Sequence, residues 1–204
     1  MAIKLDFQPA FDPLFAQSKW WGAADLPSDW DYPRNEEGEP LHFLCQIRCE
    51  ELIPYDKQGL LPHAGMLYFF AAIGEYIEHL DLAEGHCGLG EWPQDAFRVL
   101  HAPSCDNLHS CPITYDDGEA AYLPAERIIF SEVESSYDRF KLLGRPYYEE
   151  IAELYSDSLS LLQIDEEERW GLRLYDCGML CFLITPEALR HHAWEEVRLY
   201  FHSF

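Results

Sequence analysis

The chain is poor in positive charge. Only 14 of its 204 residues are Lys or Arg against 37 Asp or Glu, a formal net charge of −23. The deficit is shared, since residues 1–102 carry 6 basic and 17 acidic side chains and residues 103–204 carry 8 and 20. The acidity therefore belongs to the folded body and not to a disordered tail. Such a surface lacks the basic stripe that releases counterions from nucleic acid, and it repels anionic lipid headgroups. Nucleic acid and membrane are excluded as expected partners. Long hydrophobic runs are missing too. The longest apolar stretch, Met66 to Ile73, is far too short to span a bilayer. The opening Met1 to Pro13 lacks the apolar core and small-residue cleavage site of a signal peptide, so a cytoplasmic location is expected.

Catalytic signatures are absent as well. There is no Gly-x-Ser-x-Gly elbow, zinc-protease helix motif or phosphate-binding Gly-x-x-x-x-Gly-Lys-Ser/Thr loop. The acidic runs lack the interleaved aspartates of a calcium-binding hand. The expectation is a protein that is not an enzyme and needs no cofactor.

What the chain does have is a core. Apolar residues make up 48% and aromatics 15%, enough for a globular body. Its seven cysteines, an odd number, read as reduced thiols in a chain with no export signal. Phe7, Phe11 and Phe15 recur at helical spacing and predict a short helix or a strap over residues 1–17. Residues 22–40 and 103–120 read as loops. Strands are predicted at Leu41 to Ile47, Gly65 to Phe70, Ala96 to His101, Glu126 to Val133, Leu159 to Ile164 and Gly178 to Ile184. Helices are expected at Glu75 to Leu82, at Pro146 to Tyr155, where early Glu149 and Glu150 suit the dipole, and from Pro186. A terminal aromatic segment runs from Val197 to Phe204.

The most informative pattern is internal similarity. Lys19-x-x-Gly22, Gln46-Ile47 and Gly65-Met66-Leu67-x-Phe69 recur in order as Lys141-x-x-Gly144, Gln163-Ile164 and Gly178-Met179-Leu180-x-Phe182. The offsets shrink from 122 to 117 to 113, so the motifs keep their order while the loops shorten. Ordered matches point to a duplication. Two similar strand-rich halves would share one mixed or antiparallel sheet core with a few peripheral helices, an α+β fold. The whole chain, 1–204, reads as a single domain with pseudo-repeats at about 18–100 and 138–190.

These residues also carry a resemblance. Ser18-Lys19-x-x-Gly22 with Leu26-Pro27 and Trp30, Pro40 to Ile47, and Gly65 to Phe70 resemble the opening of the YwqG-like family, a bacterial family of unassigned function. Lys141 to Pro146, Leu161 to Ile164 and Asp176 to Ile184 are similar to its second half, so the likeness runs from about Ser18 to Leu189. The chain has Trp21-Gly22 where the family usually has Gly-Gly. It has Phe140 or Lys141 where a histidine often precedes the second leucine-glycine motif. Genes of the family occur beside bacterial toxins, and the resemblance implies a role in toxin immunity.

Two readings of function follow. In the first, the chain is an acidic binding protein that neutralises a basic, cognate secreted toxin, a nuclease in the simplest case. It would occlude the toxin's cleft by carboxylate mimicry of phosphates. The loops Glu36, Glu37 and Glu39, Asp116, Asp117 and Glu119, and Asp165, Glu166, Glu167 and Glu168 are the nominated contacts, with exposed Trp or Tyr as anchors. A monomer is expected for the free protein. The alternative is a small-molecule-binding protein or enzyme using the cleft between the repeats, with Lys19, Gln46, Lys141 and Gln163 as ligand-binding residues. Those four residues equally suit a structural role, each pinning a neighbouring loop or a carboxylate. His86, Cys87, Cys105, His109 and Cys111 have ligand chemistry, but Cys-x-x-x-His-x-Cys is not a zinc-knuckle spacing, and no metal is assigned.

Overall fold

Alternation in Ala2-Ile3-Lys4-Leu5-Asp6 overrides the phenylalanine spacing and makes the N-terminus a strand. Ile3 and Leu5 are buried while Asp6 faces solvent. In the computed structural model, which describes residues 1–78, 80 and 88–204, this segment is β1 (Ala2–Pro9). It is followed by β2 (Lys19–Trp20), β3 (Ala24–Pro27), β4 (His42–Arg48) and β5 (Met66–Ala71). Then come β6 (Gly90–Glu91), β7 (Phe97–Ala102), β8 (Leu108–Cys111) and β9 (Glu126–Val133). The remaining strands are β10 (Lys141–Leu142), β11 (Leu159–Ile164), β12 (Met179–Ile184) and β13 (Arg198–His202). Eleven of them form one sheet in the order β6-β13-β12-β11-β10-β1-β9-β2-β4-β5-β7, and β3 pairs with β8 in a small second sheet. Every pairing is antiparallel.

The α+β expectation is corrected to a mostly-β fold. The described residues hold only two α-helices, α1 (Glu149–Leu154) and α2 (Pro186–Arg190), of 6 and 5 residues. Pro146 stands outside α1, whose buried stripe is Ile151 and Ala152. Leu154, at the helix's C-terminal end, is 62% exposed. Thr185 caps α2, its side chain accepting from the Ala188 amide. The helix expected at Glu75 to Leu82 is a single 3₁₀ turn at Gly74–Tyr76, and residues 79, 81 and 82 lie outside the described residues. Two loop assignments also change, because 24–27 and 108–111 pair with each other as β3 and β8.

Strand order explains how one sheet makes a core. The long strands β1 and β9 pair over eight residues at its centre. Each also holds the short strand that follows the other in sequence: β1 pairs with β10, and β9 with β2. The two halves are therefore interlocked. The runs β5 and β12 are buried at every position, which requires cover on both faces. Curling supplies it. Seven strand steps separate β5 from β12, roughly 34 Å in a flat sheet, yet the Phe69 and Phe182 rings lie 5.3 Å apart. The sheet's two edge strands, β6 and β7, are joined by residues 92–96 alone. Between the halves Trp20 stacks on Trp170 at 5.7 Å, with Phe7 and Phe140 edge-on around them.

No helix among the described residues is long and apolar enough to cross a membrane.

Candidate functional site

The repeated Lys and Gln motifs occupy matching places in the sheet. Lys19 stands opposite Gln46 across β2–β4, and Lys141 opposite Gln163 across β10–β11. The following residue but one takes positive φ in both cases, Trp21 at 58° and Leu143 at 61°, and then comes Gly22 or Gly144. Trp21 N–H donates to Leu44 O, and Leu143 N–H to Leu161 O. Each partner strand shifts register at the same point, between Phe43 and Cys45 and between Ser160 and Leu162. At Gly144 a Cβ would come within 2.7 Å of Ser135 O, so a side chain there is excluded by contact as well as by φ.

All four residues are 1% exposed or less, and their polar atoms are used inside the protein. Lys19 Nζ donates to Asp25 Oδ2 at 2.8 Å and Pro13 O at 3.3 Å. Gln46 accepts from the Asp25 amide at 2.9 Å and donates to Asp25 Oδ2 and Gln17 O at 2.7 and 3.0 Å. In the second half Lys141 Nζ donates to the carbonyls of Ser135, Tyr137 and Arg145. Gln163 accepts from the Tyr147 amide and donates to Tyr137 O and Arg139 O. Asp25 and Tyr147 both lie six residues after the lysine, so one backbone amide fills the same role twice. Burial lowers the pKa of Lys19, opposed by the Asp25 carboxylate, and lowers that of Lys141 to about 8. None of the four lines the clefts described below. They pin the loops that enter the sheet.

The acidic loops sit on the surface. Residues 34–40 and 114–120 form matching turns closed by the bridges Arg34↔Pro40 and Thr114↔Ala120. In each an amide donates across the turn, Asn35 to Glu39 O and Tyr115 to Glu119 O. Glu36, Glu37, Glu39, Asp116, Asp117 and Glu119 are exposed on them. The feet of both turns (Tyr32 and His42, Ile113 and Ala121) line one small cavity with Trp21 and Cys111. Nε1 of Trp21 lacks a partner, and burial holds the His42 pKa down near 4 against the pull of the Leu80 and Ala71 backbone.

The third acidic run builds a cleft of about 480 Å³. Asp138, Asp165, Glu166, Glu167 and Glu168 line it with Tyr147, Tyr148 and Cys177, against one cation, Arg139. Arg139 Nε bonds Asp165 at 2.6 Å, and its NH2 lies 3.8 Å from Glu167. Glu166 accepts from the Leu174 amide at 2.8 Å and so anchors its own loop. Asp138 and Glu168 are exposed. Burial raises the Asp165 pKa against the pull of Arg139. The rings of Tyr147 and Tyr148 meet at 5.2 Å, and Tyr148 also contacts His202 and Phe204. Asp138 and both tyrosines escape a reading by sequence runs, because only the β10–β11 pairing brings them to the 165–168 loop. A second cleft, of about 470 Å³, is lined by Glu91, Asp157, Glu195 and Glu196 with Arg198.

Of the five residues with metal-ligand chemistry, His86 and Cys87 lie outside the described residues. Cys111 Sγ is 3.2 Å from His109 Nε2. Among the described residues no three or more His, Cys, Asp or Glu side chains are grouped to hold a metal ion. The six described cysteines are free thiols.

These features define a mostly-β, strongly acidic protein, with its repeated polar motifs locked inside and its carboxylates gathered on turns and in clefts. The chain belongs to the family described as Domain of unknown function (DUF1963), whose model matches residues 18–152. That span holds the Lys19–Gln46 pair and Lys141 but stops short of Gln163. No curated protein matches the chain.

Proposed function

We propose that the protein is a cytoplasmic binding protein that neutralises a basic bacterial toxin by covering the toxin's cationic cleft. The YwqG-like resemblance suggests the toxin, and the halves' matching Lys–Gln registers favour descent by duplication. The observation that carries the reading is the cleft at Asp138 and Asp165–Glu168, whose lining holds five carboxylates and two tyrosines against one arginine. A guanidinium or ammonium group entering it gains charge-assisted hydrogen bonds and an aromatic face. The turns at 36–39 and 116–119 extend the negative field, and a net charge of −23 steers a basic partner inward. No nucleic acid, membrane, cofactor or catalytic step enters this account. The test is capture of the partner from the native cell followed by association kinetics at rising salt. A basic protein whose association slows with salt supports the reading. A neutral or acidic partner, or salt-independent association, contradicts it.

In the alternative small-molecule reading, the nominated residues Lys19, Gln46, Lys141 and Gln163 also have internal hydrogen-bond partners.

A further inference from the structure

One cleft differs in character from the acidic ones. It measures about 340 Å³ and lies between the loop at 55–60 and residues 143–145 and 158–159 of the second half. That volume falls at the small end of ligand sites, about 300–1,000 Å³. Its apolar lining includes Ile3, Leu60, Leu143 and Leu159. Asp56 lines it with a side chain 1% exposed. Asp56 Oδ2 accepts from the Leu61 amide at 2.7 Å and lies 3.8 Å from His63 Nε2, but Oδ1 has no hydrogen-bond partner. Nearly all buried carboxylate oxygens in folded proteins are paired, so this one calls for a donor from elsewhere. Two cations, Lys57 and Arg145, complete the lining. Each pairs with a surface carboxylate, Lys57 with Glu132 at 2.6 Å and Arg145 with Glu149. Both stay about half exposed or more, at 62% and 46%, so a ligand carboxylate reaches them from solvent in competition with those surface partners.

We infer that this cleft binds a free α-amino acid with an aliphatic side chain. Its ammonium donates to Asp56 Oδ1, its carboxylate meets Lys57 and Arg145, and its side chain covers Leu60, Leu143 and Leu159. A bare buried acceptor, paired cations and an apolar lining in one cleft match such an amphoteric molecule and suit neither a pure cation nor a pure anion. The site shares no residue with the Asp138 and Asp165–Glu168 cleft, so the inference stands apart from the toxin reading.

The test titrates the full chain with leucine, leucinamide and N-acetyl-leucine, read by amide chemical shifts and calorimetry. Leucinamide keeps the ammonium and mimics a peptide's amino terminus, whereas N-acetyl-leucine keeps the carboxylate and mimics a carboxyl terminus. The expected result is saturable leucine binding that shifts the amides of Leu60, Leu143 and Leu159, with each analogue at least tenfold weaker. Asp56→Asn should weaken leucine at least tenfold. Ser158→Trp, which fills the cleft while leaving Asp56 in place, should abolish binding with the circular dichroism unchanged, and it decides the matter if Asp56→Asn does not fold. Failure of leucine to bind, equal affinity for either analogue, or a folded Ser158→Trp that still binds leucine would overturn the assignment.

Discussion

Lys19 Nζ and Asp25 Oδ2 lie 2.8 Å apart with their side chains 2% and 1% exposed, and the second half repeats the lysine without the acid. The same Asp25 oxygen also receives Gln46 Nε2 and the Ala16 amide. Three groups of the first half thus converge on one carboxylate oxygen, and Gln46 Oε1 accepts the Asp25 amide as well. In the second half three backbone carbonyls replace it around Lys141.

Removing Asp25 therefore leaves a buried ammonium alone. Asp25→Ala is expected to cost about 3–5 kcal/mol, the range for breaking one side of a buried pair. Tyr147→Ala at the matching position should cost no more than about 1 kcal/mol, because the backbone amide there, not the ring, serves Gln163. Urea unfolding of the two variants measures the difference.

Lys141 makes stability depend on alkaline pH. Its folded pKa is lowered by burial from 10.5 to about 8, so between those values the unfolded chain binds the proton and the native chain has released it. Stability from this group then rises with pH across that window, by a total on the order of 3 kcal/mol. Burial pushes Cys181 and Tyr148 the other way, each up to about 12, and their contribution falls as pH rises. Comparing the wild type with Lys141→Met isolates the lysine. The wild type should gain on the variant from pH 8 to 10.5 in denaturant melts.

Interlocked strands predict a single unfolding unit. A fragment ending at residue 123 retains β1 and β2 but loses β9, which lies between them in the sheet. It should be unfolded alone by circular dichroism and recover strand signal when the 124–204 fragment is added. A folded 1–123 fragment would show that the halves are independent.

Much of the strand content could be read from local chemistry. The span at Glu126–Val133 and that at Leu159–Ile164 match their predicted bounds, since an apolar run between turn residues constrains a strand strongly. β1 was hidden by Phe7, Phe11 and Phe15, whose spacing mimics a helix although Phe11 is fully exposed and Phe15 half-exposed. The expected strand-rich antiparallel sheet core with few helices is present, but the helical pattern at 146–155 forms a helix only over Glu149–Leu154, so the fold is mostly β, and the curled sheet supplies its own cover. At the site, the equivalence of Lys19–Gln46 and Lys141–Gln163 was visible as matching motifs. Asp25 was not, because nothing periodic links it to Gln46, 21 residues away. The Asp165–Glu168 run was legible as acidic, but its joining with Asp138, Tyr147 and Tyr148 depends on strand pairing alone.

Charge reversal at the cleft tests the central claim with little risk to the fold. Asp138 and Glu168 are exposed, whereas Glu166 holds the Leu174 amide and is better left intact. The variant Asp138→Lys/Glu168→Lys changes the net charge from −23 by four charges without removing a buried contact, and its melting should match the wild type.

The most direct measurement is the association rate of the captured partner as a function of ionic strength, for the wild type and for Asp138→Lys/Glu168→Lys. The account predicts a wild-type rate that falls steeply with salt, and a variant rate at least tenfold lower at low salt with a flatter slope. Equal rates and equal salt slopes for the two proteins would contradict it.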